Sequence, residues 1–388
     1  MSDYPYEVAV DPADVDVDAN KVSKLAEKFL KQQEAGLFPG GQLVARRAGK
    51  VIVKVSCGLA RGWQGRGGEQ LVKVNETTPF AVFSTGKPMA AIVIALLESR
   101  GLLHRSMPVS SILPEFASLG REKITIADVL THRGGIILTD LINQSGLIGD
   151  RDAVWQYLID TPPLYPRGTF AYMPTEYGMI LDQLVQRLTG KSIAKLFREE
   201  LANPLGLSNM YYGLGPHALD DLAWAYWQGK PRYVVTGMDV AKDFEKKCNS
   251  LDVFSAGNPA MGMVADAANL AAMYEFLVNG GRTQTGESLI DADLVRQYTN
   301  KQISGWNKSI KTFLSFGNGF MLGSPAPCFF GWWGSSKCFG HPGMFSSMAF
   351  ADQDTKLSMA IVSNGNRGIA DFFKRMVPLI HAMRQACH

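Results

Sequence analysis

The sequence predicts a mixed α/β fold of the segregated α+β kind. One central antiparallel sheet is built from both ends of the chain and flanked by terminal helices, with a mainly helical lobe inserted between its strands. Three observations predict it. Strand-like apolar runs lie near both ends, and the stretch from about 84 to about 254 is dominated by helix signals. No internal repeat, low-complexity tract or linker rich in Pro, Gly and Ser separates the two kinds of segment, so 388 residues with 46% hydrophobic content close into one interlocked unit. Residues 1–20 read as an N-terminal extension and 21–388 as a single domain, with 21–83 and about 255–388 forming the α/β lobe and about 84–254 the helical lobe.

Each element follows from a local pattern. Val22, Leu25, Phe29 and Leu30 recur at helical spacing, and GQLVARRAGKVIVKVSCG then supplies two β-rich runs joined by Ala48-Gly49-Lys50, a helix followed by a hairpin. PMAAIVIALLESRG is apolar on every side, as a buried helix is. Thr125 and Asp128 form a capping box that opens IADVLTH; DAVWQYLI and EYGMILDQLVQRLTG continue the helical run, the latter with Gly190 as its C-cap. After the helix ADAANLAAMYEFLVNGG the character changes to strands, in FLSFGNGFML, CFFGWWG, SSMAFAD and KLSMAIVSN, and a helix from about Ile369 to Arg384 closes the chain.

Composition excludes several functions. Thirty-nine basic against thirty-six acidic residues leave a net charge of +3, evenly scattered, so no polyanion-binding surface and no nucleic-acid partner is expected. MSDYPYEVAVDPADVDVDAN has neither a basic n-region nor an apolar h-region, which points to a cytoplasmic location. The run Pro88–Leu97 is far shorter than the roughly 20 residues of a bilayer span, so no membrane partner is expected. The five cysteines are dispersed without a Cys-x-x-Cys pair and read as free buried thiols, and the six scattered histidines form no His-Glu-x-x-His; no metal and no cofactor is implied.

Chemistry concentrates at Ser84-Thr85-Gly86-Lys87. This segment follows the apolar run Phe80–Phe83 and precedes the buried helix, so Ser84 is expected at a helix N-terminus, where the dipole favours negative charge developing on its oxygen. Residues i and i+3 share a helix face, which brings the Lys87 amine to the Ser84 hydroxyl; a lysine sunk there loses basicity by desolvation and can accept a proton near neutrality. The spacing alone is weak, because Ser192-Ile193-Ala194-Lys195 repeats it. That second pair leads into the charged LFREEL, and Ser192 reads as a surface or capping residue. No Gly-x-Ser-x-Gly exists, and Gly190-Lys191-Ser192 lacks the rest of a phosphate-binding loop.

The company of Ser84 separates the two. SSILPEF, ITIADVLTHRGG, PRGTFAYMPTEYGMIL, PAMGMVADAANLAAMYEFLVNGG and FGHPGMFSSMAFAD occur in the order and approximate spacing of the class C β-lactamase-like family, so from about residue 20 to 380 the chain resembles these penicillin-binding-protein-type serine hydrolases. That family includes family VIII-type esterases, D,D-peptidases, D-aminopeptidases and acyltransferases. The resemblance implies a β-lactamase/transpeptidase-like fold, an acyl-enzyme on Ser84, Lys87 as base and Tyr172 completing the proton relay. The plainer alternative for Tyr172 is a core tyrosine with a satisfied hydroxyl. It also implies that His341-Pro342-Gly343 is the strand-edge motif, with the Met344 and Ser84 amides as oxyanion hole.

At that edge a Gly343 side chain would obstruct the substrate, and His341 either shapes the turn or hydrogen-bonds a substrate. His132, in THRGG, reads as turn-stabilising. Aromatics cluster at Phe329, Phe330, Trp332 and Trp333 and again at Tyr211, Tyr212, Trp224, Tyr226 and Trp227; core packing explains most, with Trp333 the candidate for the substrate cleft. Two departures narrow the activity. Pro174 stands where the family carries asparagine, and His341 where lactamases carry lysine, which together favour small or hydrophobic neutral esters over lactams. A carboxylesterase is therefore expected, with an acyltransferase as the main rival, β-lactamase or D,D-peptidase action less favoured, and a non-catalytic binding protein of the same fold as the alternative from another class.

Overall fold

Asp18 starts the first helix, its carboxylate accepting the Lys21 N–H at 3.1 Å, and α1 (Ala19–Glu34) turns Val22, Leu25, Ala26 and Phe29 inward. The computed structural model describes residues 6–7, 12–139, 141, 147, 149–235, 238–255, 257–332 and 335–387. Strands β1 (Gly40–Arg47) and β2 (Lys50–Arg61) follow. Their two-residue connection puts Ala48 at φ +52° and Gly49 at φ +78°, the paired left-handed conformation that matches hairpin twist.

The buried helix is α2 (Lys87–Ser99), in which every residue from Lys87 to Leu97 is buried. Next come α3 (Glu176–Thr189), ended by Gly190 at φ +71°, and α4 (Ala267–Val278), capped by Asp266. The C-terminal third supplies β3 (Ile303–Asn307), β4 (Thr312–Phe316), β5 (Met321–Leu322), β6 (Cys338–Gly343), β7 (Ser347–Asp352) and β8 (Leu357–Ser363), then α5 (Ile369–Ala386).

The sheet is antiparallel throughout, in the order Tyr6–Glu7, β2, β1, β8, β7, β6, β5, β4, β3. First and last thirds of the chain thus meet where β1 pairs with β8, Val44 opposite Ala360. Alternation divides the sheet between two cores. Leu43, Ala45, Phe350, Met359 and Ile361 face the α1–α5 layer. Val44, Ala349, Ala351, Ala360 and Val362 face α4 and the helical segments, and the alanines let α4 approach closely. This is the expected central antiparallel sheet built from both chain ends and covered by the terminal helices.

Two strand expectations change. CFFGWWG forms no strand among its described residues: Cys328 and Gly331 close a tight turn on themselves, with Gly331 at φ +115°, while Phe330 plugs into the core against Phe350. The edge pair β3–β4 instead includes Ile303–Asn307, whose short polar pattern gave no strand signal. All five cysteines are free thiols, four buried and Cys328 half-buried. Among the described residues no helix is long and apolar enough to cross a membrane.

Candidate active site

The strand Phe80–Ala81 pairs with Met263–Ala265, and Val82 N–H donates to Met263 O at 3.0 Å. Phe83 then takes φ +48°, and one 3-10 turn (Phe83–Gly86) delivers the chain into α2. Between buried neighbours on both sides, Ser84 alone is half-buried. A left-handed non-glycine residue next to the nucleophile candidate is held by its surroundings. Tyr212 Oη donates to Gly86 O at 2.6 Å and Tyr177 Oη to Lys87 O at 3.2 Å. On the other side Ser347 Oγ donates to Val82 O and lies 2.9 Å from Thr85 Oγ1, stitching the turn to β7.

Gly343 completes that seam. A Cβ there would lie 2.0 Å from Val82 O and 2.7 Å from Thr85 Oγ1. The glycine thus lets β6 close on the Ser84 turn; the space beyond it holds backbone rather than open cleft, a different physical reason from substrate clearance.

Lys87 is fully buried, and its Nζ donates to Ser84 Oγ (3.1 Å), Pro174 O (2.7 Å) and Ala260 O (2.8 Å). Burial lowers its pKa from 10.5 to about 7, against an opposing pull from the Glu176 carboxylate. Pro174, which lacks the family amide, serves through its carbonyl. Asn258 Oδ1 accepts the Ala260 N–H at 2.8 Å and so fixes the residue whose carbonyl is the third acceptor.

Tyr172 lies beside this pair, its ring centroid 5.0 Å from Lys87 Nζ. Burial raises its phenol above the usual range, and a side-chain hydrogen bond with Ser84 partly offsets the rise. His132 and His341 pack on the same ring at centroid distances of 4.5 and 5.8 Å. His132 Nδ1 accepts the Met173 N–H, so its proton sits on Nε2, which has no partner. In His341 the tautomer is reversed: Nδ1–H donates to Pro342 O at 2.7 Å and leaves the Nε2 lone pair unpartnered. Burial holds His341 down at about 3 and His132 well below the usual histidine value, with the Lys87 charge adding to both.

Ser84, Tyr172, His341 and Met344 all border one cavity of about 510 Å³, walled mainly by apolar groups such as Ile137, Met321, Phe329 and Phe372. Met344 leaves β6 at φ +36°. Of the aromatic clusters, Phe329 reaches the cavity, Phe330 is core and Trp332 is exposed; Tyr212 and Tyr226 are core. Trp333 lies outside the described residues. Ser192 is an N-cap, accepting the Lys195 N–H at 3.2 Å. The sequence reading missed Glu176, which is buried and accepts the Leu138 and Thr175 N–H groups at 2.7 and 3.1 Å. Its position three residues before a helical turn's worth of apolar side chains looked like an ordinary acidic first turn.

The family model described as Beta-lactamase matches residues 24–377. The esterase/β-lactamase LipL of Mycobacterium tuberculosis is 28% identical over 364 residues, covering 84% of this chain and 77% of that protein. Among solved structures, a penicillin-binding protein homologue from Caulobacter crescentus superposes with a TM-score of 0.82 at 27% identity, covering 95% of this chain and 98% of the other. A family VIII carboxylesterase reaches 0.79 at 24% identity over 95% and 98%, a likeness of fold.

Proposed function

The chain belongs to the β-lactamase family, and from that premise we propose that it is a carboxylesterase that cleaves small or hydrophobic esters through an acyl-enzyme on Ser84. The observation that carries this reading is the 3.1 Å contact between Ser84 Oγ and a lysine that burial has made a near-neutral base, at the wall of an apolar cavity. The opposite shifts of the two groups support the following roles. Lys87, lowered, takes the Ser84 proton as Oγ attacks the ester carbonyl carbon; Tyr172, raised, stays a phenol and passes a proton to the departing alkoxide while Lys87 replenishes it. The oxyanion is held by the Ser84 and Met344 amides. Water then attacks the acyl carbon, and Ser84 leaves as the restored hydroxyl.

His341 enters as a substrate-binding group. The residue borders the cavity, and its buried Nε2 lone pair has no protein partner, which suits it to accept an O–H or N–H that a bound substrate brings against the ring. Because the walls are mainly apolar, an alcohol has a place to compete with water for the acyl group, which supports acyl transfer as a second reading.

Purified Ser84→Ala protein is expected to lose at least about 10³-fold in kcat on p-nitrophenyl acetate and butyrate. Unchanged turnover overturns the mechanism. Added alcohols are expected to yield new esters if transfer competes, and only acid if it does not.

A further inference from the structure

The turn between β3 and β4, Lys308–Lys311, reaches over the cavity, and all four of its residues border it. It is fixed to the candidate catalytic tyrosine. Fully buried Asn307 accepts through Oδ1 the Tyr172 N–H and the Ile310 N–H, both at 3.2 Å, and lies 3.0 Å from Ser309 Oγ. Lys308 N–H donates to Phe170 O at 3.0 Å, and Lys311 N–H to Asn307 O at 2.9 Å. Lys311 adopts φ +59°, which glycine or asparagine would occupy at lower cost.

Two ammonium groups are thereby carried on a rigid frame at the mouth of an apolar cavity. Lys308 Nζ stands 5.8 Å from the ring centroid of Tyr165, another wall residue. Among the described residues neither lysine has a carboxylate partner, and no carboxylate side chain borders the cavity. The sequence-based expectation of neutral esters rested on Pro174 in place of asparagine and on His341 in place of a lysine, the latter removing a fixed positive charge. Here positive charge enters from a different element.

We propose that the Lys308–Lys311 turn is an anion subsite, and that the preferred esters carry a carboxylate at the far end of an apolar arm. This rests on the esterase reading. The lysines are exposed, so the attraction is modest, worth about three- to tenfold in binding for the pair, and sensitive to salt.

The test uses matched substrates that differ in the terminal group alone. p-Nitrophenyl hydrogen adipate and suberate vary the acyl arm and 6-acetoxyhexanoate the alcohol arm, each against its amide-capped counterpart. An acid-to-amide ratio of kcat/KM of about three to ten is expected on at least one arm, collapsing to about one in Lys308→Ala/Lys311→Ala protein and shrinking in 0.5 M NaCl. A ratio of one on both arms, or a ratio that the double variant leaves unchanged, overturns the subsite. Titration of the same pairs into Ser84→Ala protein reads the subsite apart from chemistry, and the Kd ratio is expected to match. If the amide-capped esters too resist wild-type enzyme, the esterase reading fails separately, and the binding ratio still decides the subsite.

Discussion

Lys87 has to be neutral to act as a base, and its environment sets where that happens. Burial brings it to about 7 while the Glu176 carboxylate pulls the other way. As pH falls through that value the amine is protonated and Ser84 loses its proton acceptor. Log kcat/KM is therefore expected to fall with unit slope below about pH 7. Glu176→Gln removes the opposing charge, so the acid limb is expected to move to lower pH. A pH profile on p-nitrophenyl butyrate measures this, and a limb that stays in place or moves upward rules out Glu176 as the group that tunes Lys87.

At the scale of elements, the seam between β6 and the Ser84 turn explains why the glycine is needed. Gly343→Ala puts a Cβ 2.0 Å from the Val82 carbonyl, against backbone that cannot rotate away. Overpacking of this kind costs about 1–3 kcal/mol. Because the strand must retreat from the very turn that carries Ser84, activity is expected to suffer more than folding: at least about a hundredfold loss in kcat/KM in protein that still unfolds cooperatively. Loss of only a few-fold would show that the strand and turn move together. This seam also marks what could be read in the sequence. The apolar α2 and the strands β1, β2, β7 and β8 announce themselves by their apolar and β-rich runs, and Ser84 and Lys87 by the flanking run and helix together with the ordered motifs downstream. Pro174 O and Ala260 O, two of the three acceptors on Lys87, are backbone atoms from distant segments, so no residue type signals them. Ile303–Asn307 was illegible because an edge strand with one polar face has little apolar alternation to show, and CFFGWWG misled because its aromatics fill a core from a turn.

Across the whole molecule, the site stands where the two cores meet. His132 comes from the helical side, His341 from the sheet, and both rings pack on Tyr172 and Phe316, with centroid distances of 5.1 and 6.0 Å to the latter. Holding this junction dry keeps both histidines neutral, and that ties the stability of the fold to pH. The sign follows from proton counts: between about pH 6.5 and the folded value of about 3, the unfolded chain binds a proton at His341 that the folded protein refuses. The His341 contribution to stability is thus full above pH 6.5 and lost as pH falls. By pH 5 the loss at His341 is about 2 kcal/mol, and His132, lowered for the same reason, adds in the same direction. Urea midpoints are expected to drop steadily from pH 7.5 to 5, and His341→Gln, which cannot titrate, is expected to remove about 2 kcal/mol of that drop whatever it does to stability at pH 7.5. If the variant and the wild type fall in parallel, the acid sensitivity has another source and the two cores are not joined through a neutral His341.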